Sequence, residues 1–154
     1  MNVATFRATC KDCGTHFDNP SLGSMAYGEF VARGDGGTVF AYLPAFGNPG
    51  WDKIDQVFKK VFPKQKQSAQ TDCFQWVIGK CLDPIDGQEL SIVSGTVCPN
   101  CHRTNVMDGD DVRTGALDLP DATFSNFLAL DEATQEQRIR ELCTQWLEGS
   151  AERS

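Results

Sequence analysis

No stretch of the 154-residue chain approaches the ~20 consecutive apolar residues that a membrane-crossing helix needs. Met1-Asn2-Val3-Ala4-Thr5-Phe6-Arg7 has no basic start leading into an apolar run, so no export signal is expected and the expected location is the cytoplasm. Histidine is scarce: two in the whole chain leave little general-base capacity near neutral pH. H-E-x-x-H, P-loop and dinucleotide patterns are missing, as are a nucleophile–base pair and internal repeats. These gaps make an enzyme the minor reading. It would need a spare cysteine or an open metal position.

Hydrophobic residues make up 40% of the chain, an ordinary share for a globular protein, and the length suits one domain over 1–154. The net charge of −7 is unevenly spread. Residues 1–77 carry 8 basic and 7 acidic side chains, and residues 78–154 carry 6 and 14. The stretch 108–132 holds seven acids (Asp108, Asp110, Asp111, Asp118, Asp121, Asp131 and Glu132) against Arg113 alone. Such a surface repels phosphates and anionic lipid and attracts a basic protein; a solvated, solubilising face would look the same.

Four of the seven cysteines form two pairs, Cys10-Lys11-Asp12-Cys13 and Cys98-Pro99-Asn100-Cys101. Two intervening residues let a tight turn aim both sulfurs at one ion, and two such turns supply a closed tetrahedral shell. Gly14 suits the positive φ at the exit of the first turn, and Pro99 presets the first corner of the second. Two structural disulfides or redox dithiols are the rival reading. Because seven cysteines cannot all pair within one chain, a reducing compartment is favoured. One zinc ion held by Cys10, Cys13, Cys98 and Cys101 is expected, with iron less favoured. The 84 residues from 14 to 97 separate the pairs. Closure entropy grows slowly with length, so such an insertion is tolerable provided that it folds as a lobe of its own.

The segments Cys10-Lys11-Asp12-Cys13-Gly14-Thr15-His16-Phe17 and Gly95-Thr96-Val97-Cys98-Pro99-Asn100-Cys101 resemble the knuckles of the zinc ribbon family. Rubredoxins have similar knuckles and hold iron. The resemblance covers these 15 residues around the metal site. It implies two knuckles carried by short β-hairpins and no particular activity, since ribbons serve polymerase subunits, adaptors, enzymes and inhibitors alike.

His16 and His102 lie close enough to the pairs to substitute as ligands, but four cysteines already complete the shell. Cys73, Cys81 and Cys143 read as small buried hydrophobes, with a catalytic cysteine as the alternative.

Strands are expected over 3–9, 25–33, 38–43, 73–82 and 88–97. Asn48 and Pro49 open a helix carrying the stripe Trp51, Ile54, Phe58 and Val61, stopped by Pro63. Lys59, Lys60, Lys64 and Lys66 form the only basic cluster, a weak nucleic-acid signal without interleaved aromatics. Val106-Met107 is expected to close the ribbon, and Asp108-Gly109-Asp110-Asp111 reads as an acidic turn. Pro120-Asp121 opens a short helix with Phe124, Phe127 and Leu128 on one face. A second helix has Thr134 and Gln137 placed for a capping box and Glu136 and Arg140 for an ion pair. Its stripe Ile139, Leu142, Cys143, Trp146 and Leu147 is expected to pack on the strands, with a partner-binding helix as the rival.

The expected fold is therefore α+β. Knuckle halves at 1–19 and 88–107 flank an inserted hairpin-and-helix lobe at 20–87, and an acidic loop with C-terminal helices fills 108–154. The expected function is a non-enzymatic module, an adaptor or an immunity-type inhibitor, that binds a basic protein partner. A nucleic-acid-associated ribbon is the alternative.

Overall fold

The computed structural model describes residues 1–23, 26–62 and 67–153. It is mixed α+β, with two three-stranded antiparallel sheets and four helices among the described residues. The first sheet has the order β2-β1-β6, from β1 (Asn2–Cys10), β2 (His16–Pro20) and β6 (Val106–Asp118). The second has the order β4-β3-β5, from β3 (Glu29–Gly34), β4 (Phe40–Pro44) and β5 (Leu90–Ser91).

α1 (Pro49–Val61) starts as its sequence dictates. Asn48 Oδ1 accepts from the Gly50 and Trp51 N–H groups at 3.1 and 3.3 Å, and Pro49 takes the first helical position. Ile54 and Phe58 are buried, and Trp51 stacks on Phe30 of β3 with ring centroids 5.4 Å apart. Met25, Pro63, Lys64 and Lys66 lie outside the described residues.

Of residues 73–82, expected as a strand, 73–81 belong instead to helix α2 (Gln67–Cys81). The buried positions Cys73, Val77, Ile78 and Cys81 follow a helical period, and tertiary packing overrides the β-propensity of Phe74-Gln75-Trp76-Val77-Ile78. The strand expected over 88–97 shortens to β5, because Ser91 Oγ accepts from the Val93 and Ser94 N–H groups at 3.2 and 3.1 Å and turns the chain.

The acidic turn is also corrected. Asp108 to Asp111 lie within β6, which pairs with β1 along its length. Adjacent β1 residues Phe6 and Arg7 face Arg113 and Gly109, so residues 110–112 are taken up as a bulge.

α3 (Ser125–Leu128) buries Phe124 and Phe127 but leaves Leu128 44% exposed, so the three do not share one buried face. α4 (Glu132–Arg153) is capped by Asp131, whose Oδ1 accepts from the Thr134 N–H at 2.7 Å. The Thr134–Gln137 box does not form, because the helix begins earlier than the sequence suggested and Gln137 bonds Glu141. Glu136 pairs with Lys60 of α1 at 2.6 Å rather than with Arg140. The α4 stripe meets α1 and α2. Ile139 and Leu142 then share one core with Ala32, Ala41 and Leu43 of the second sheet.

Candidate metal centre

The two knuckles are built alike. In the first, the Cys10 N–H donates to the Thr15 carbonyl and the Gly14 N–H to the Cys10 carbonyl, both at 2.9 Å. In the second, the Cys98 N–H donates to the Arg103 carbonyl and the His102 N–H to the Cys98 carbonyl, again at 2.9 Å. Gly14 has φ 76° and His102 φ 62°. His102 thus occupies the left-handed position that glycine fills in the first turn, at a cost a glycine does not bear.

The four sulfurs lie within 4.8 Å of one another. Cys10 Sγ is 3.5 Å from Cys101 Sγ, and Cys13 Sγ is 3.6 Å from Cys98 Sγ. Each close pair joins the first cysteine of one knuckle to the second cysteine of the other. These separations far exceed the ~2.05 Å of a disulfide. They approach the ~3.8 Å edge of a tetrahedron with zinc–sulfur bonds of about 2.3 Å. Burial follows the same symmetry: Cys10 and Cys98 are buried, Cys13 is exposed and Cys101 is partly so.

The knuckles are also tied to each other. The Lys11 N–H donates to the Asn105 carbonyl at 2.8 Å, and Asn105 Nδ2 donates to Asp12 Oδ1 at 3.2 Å. Hydrogen bonds from Thr15, and then from Asn100, pull the Cys13 thiol down to about 6. At Cys101 a backbone hydrogen bond from Arg103 acts downward. Burial and the neighbouring Cys10, Cys13 and Cys98 sulfurs outweigh it and push the thiol up to about 12. Four thiolates at this spacing repel one another unless a cation sits among them, so the donor set fits a metal ion.

His16 and His102 are exposed and lie outside the cluster. His16 Nδ1 is instead 2.9 Å from Thr9 Oγ1. Cys73, Cys81 and Cys143 are buried away from the site. A hydrogen bond with Cys143 and burial push the Cys73 thiol up, and burial pushes Cys81 up to about 12.

Sequence reasoning missed the joint between the first sheet and the second sheet. Arg33 of β3 donates to Asn19 Oδ1 at 2.6 Å and to the Pro20 carbonyl at 2.9 Å, both in β2. Its guanidinium carbon lies 5.5 Å from the Phe40 ring centroid. Asn19 Nδ2 in turn donates to Asp108 Oδ1 of β6 at 3.1 Å. Burial lowers the Arg33 pKa, and Asp108 partly offsets that. A lone arginine in a strand carries no sequence signal for such a joint.

No protein-family model, curated protein or solved structure matches the chain.

Proposed function

We propose that this chain is a non-enzymatic, metal-stabilised protein-binding module that acts on a basic partner as an adaptor or as an inhibitor of immunity type. In this reading Cys10, Cys13, Cys98 and Cys101 hold one zinc ion in a reducing, cytoplasmic setting. Bound there, zinc supplies a cross-link between the chain's beginning and residue 98, and the residues between fold as part of one domain.

The observation that carries the reading is the four-sulfur cluster formed by two matching knuckles. Four thiolates fill a tetrahedral shell and leave no position for water or substrate, which favours a structural role over a catalytic one. Cys73 and Cys81 are buried thiols held protonated, and Cys143, which its hydrogen bond with Cys73 pulls down, is itself buried, so none of the three offers an exposed thiolate, which favours a binder over a cysteine enzyme. The uneven charge favours a basic partner. Nucleic acid is disfavoured because Lys59 pairs with Asp55 at 2.8 Å and Lys60 with Glu136 at 2.6 Å.

The test is capture by the zinc-loaded protein immobilised beside its Cys10→Ser variant. A basic protein retained by the first and lost from the second supports the proposal. Retention of nucleic acid with a steep salt dependence, or a turnover abolished by chelation, contradicts it.

A further inference from the structure

The ladder between β3 and β4 runs on past the strands. Glu29 faces Pro44, and the Ala45 N–H donates to the Gly28 carbonyl at 2.7 Å, which brings Tyr27 opposite Phe46. These two rings are 83% and 69% exposed, and their centroids lie 5.6 Å apart. They are also held in place. Gly28 has φ 70°, and a Cβ there would come within 2.3 Å of the Phe46 ring, so the ring lies directly on the Gly28 main chain. An ordered pair of large exposed rings is the kind of anchor on which binding energy concentrates.

The alternation of a strand puts Arg33, Glu29, Phe40, Tyr42 and Phe46 on one face of this sheet, while Ala32, Ala41 and Leu43 go to the core. One end of that face is already covered. There the Arg33 guanidinium lies over Phe40 and reaches oxygen acceptors on β2 of the ribbon. The other end, at Tyr27 and Phe46, is open. One carboxylate borders it, that of Glu29, which lies two residues from Tyr27 and accepts a hydrogen bond from the Tyr42 hydroxyl; Asp121 lies further along the sheet, where its backbone bridges Tyr42. The covered half pairs a guanidinium with an aromatic ring. The open half offers rings and negative charge without a cation over them among the described contacts.

We propose that the open end of this face docks a basic protein segment by seating an arginine guanidinium on the Tyr27–Phe46 pair beside the Glu29 carboxylate. The continuity with the Arg33–Phe40 joint and the charge complementarity carry the assignment. Aromatic faces attract cations, arginine above all, and a nearby carboxylate adds to that attraction. This assignment rests on the reading of a basic protein partner, and it names the surface that such a partner uses.

The test titrates a fluorescein-labelled hexa-arginine peptide into the zinc-loaded full chain, with amide chemical shifts mapping the contact. Shifts at Gly28, Glu29 and Ala45 are expected. Tyr27→Ala with Phe46→Ala is expected to weaken binding at least about tenfold, and Asp110→Asn with Asp111→Asn by less than about threefold. Phe46→Leu keeps the Gly28 main chain covered while removing the π face, and it should lose binding with an unchanged melt.

Binding that survives loss of both rings overturns the proposal. If the loss follows the aspartate variants instead, the basic-partner reading stands and this surface falls. Failure of hexa-arginine to bind removes both. An oligothymidine that competes with the same sensitivity to Phe46→Leu would give the pair to stacked bases. A dimer that Phe46→Leu dissolves would give it to a second copy of the chain.

Discussion

Gly14 and His102 occupy the same place in two turns separated by most of the chain. Each follows the second cysteine of its pair and has φ above 60°, and each N–H donates to the carbonyl of the first cysteine at 2.9 Å. Only one of them is a glycine. A Cβ on Gly14 would meet nothing within 4 Å, so the cost of a side chain there comes from the backbone alone.

Gly14→Ala is therefore expected to cost about 1–2 kcal/mol, and His102→Gly to be neutral or stabilising by up to about 1 kcal/mol. Urea melts of the zinc-loaded variants check both signs. An unchanged midpoint for Gly14→Ala would mean that the first knuckle does not need its left-handed residue.

Arg33 bridges the two sheets through Asn19 and the Pro20 carbonyl. Asn19 and Pro20 are buried, so Arg33→Ala strands two acceptors and should cost about 2–3 kcal/mol. Arg33→Lys reaches fewer acceptors and should recover only part of the loss. Amide exchange should quicken in β2 and β3 together. Faster exchange confined to β3 would contradict a joint between the sheets.

Asp83 holds the start of α3 by accepting from Thr123 Oγ1 at 2.5 Å and from the Ser125 and Asn126 N–H groups at 2.8 and 2.9 Å. Burial acts to raise its pKa, but these hydrogen bonds outweigh it and hold the carboxyl below its ordinary value. The folded state thus favours the carboxylate. Its contribution is complete above the unfolded-state value of about 3.9 and is lost as pH falls through the lower folded-state value. Asp83→Asn should cost about 0.5–1 kcal/mol at neutral pH, with the difference fading as pH falls below the unfolded-state value. Melts across pH test this; a gap that widened in acid would reverse the sign.

Cys10→Ser and Cys98→Ser remove buried sulfurs from opposite knuckles. Both should lower the melting temperature and expose the two knuckles to protease. The dependence should be partial, because a separate core of Leu43, Ile54, Ile78, Ile139 and Leu142 remains. Complete unfolding of either variant would show that the core cannot stand without the site.

The site was legible in the sequence because cysteine spacing acts locally: two residues fix one turn, and two turns fix a shell. The hairpin of β3 and β4, the Asn48 cap and the strand β1 were legible for the same reason. What the sequence hid depends on distant partners. Phe74-Gln75-Trp76-Val77-Ile78 carries strand propensity, yet its apolar faces meet α1, α4 and β5 only as a helix. Asp108-Gly109-Asp110-Asp111 has turn chemistry, yet Asp108 and Gly109 pair with Ala8 and Arg7 and the chain bulges only over 110–112, because the nine residues of β1 need a partner along their length. Arg33 and Asn19 meet across two sheets, and no local pattern marks such a pair.

X-ray absorption at the zinc, iron and sulfur edges of protein purified without added metal tests the central claim most directly. One zinc per chain with four sulfur neighbours at about 2.3 Å is expected. Nitrogen or oxygen in the shell would mean an open site, and iron in place of zinc would overturn the assignment of the metal. A chain without metal, with Cys10 and Cys13 or Cys98 and Cys101 joined as disulfides, would contradict the account altogether.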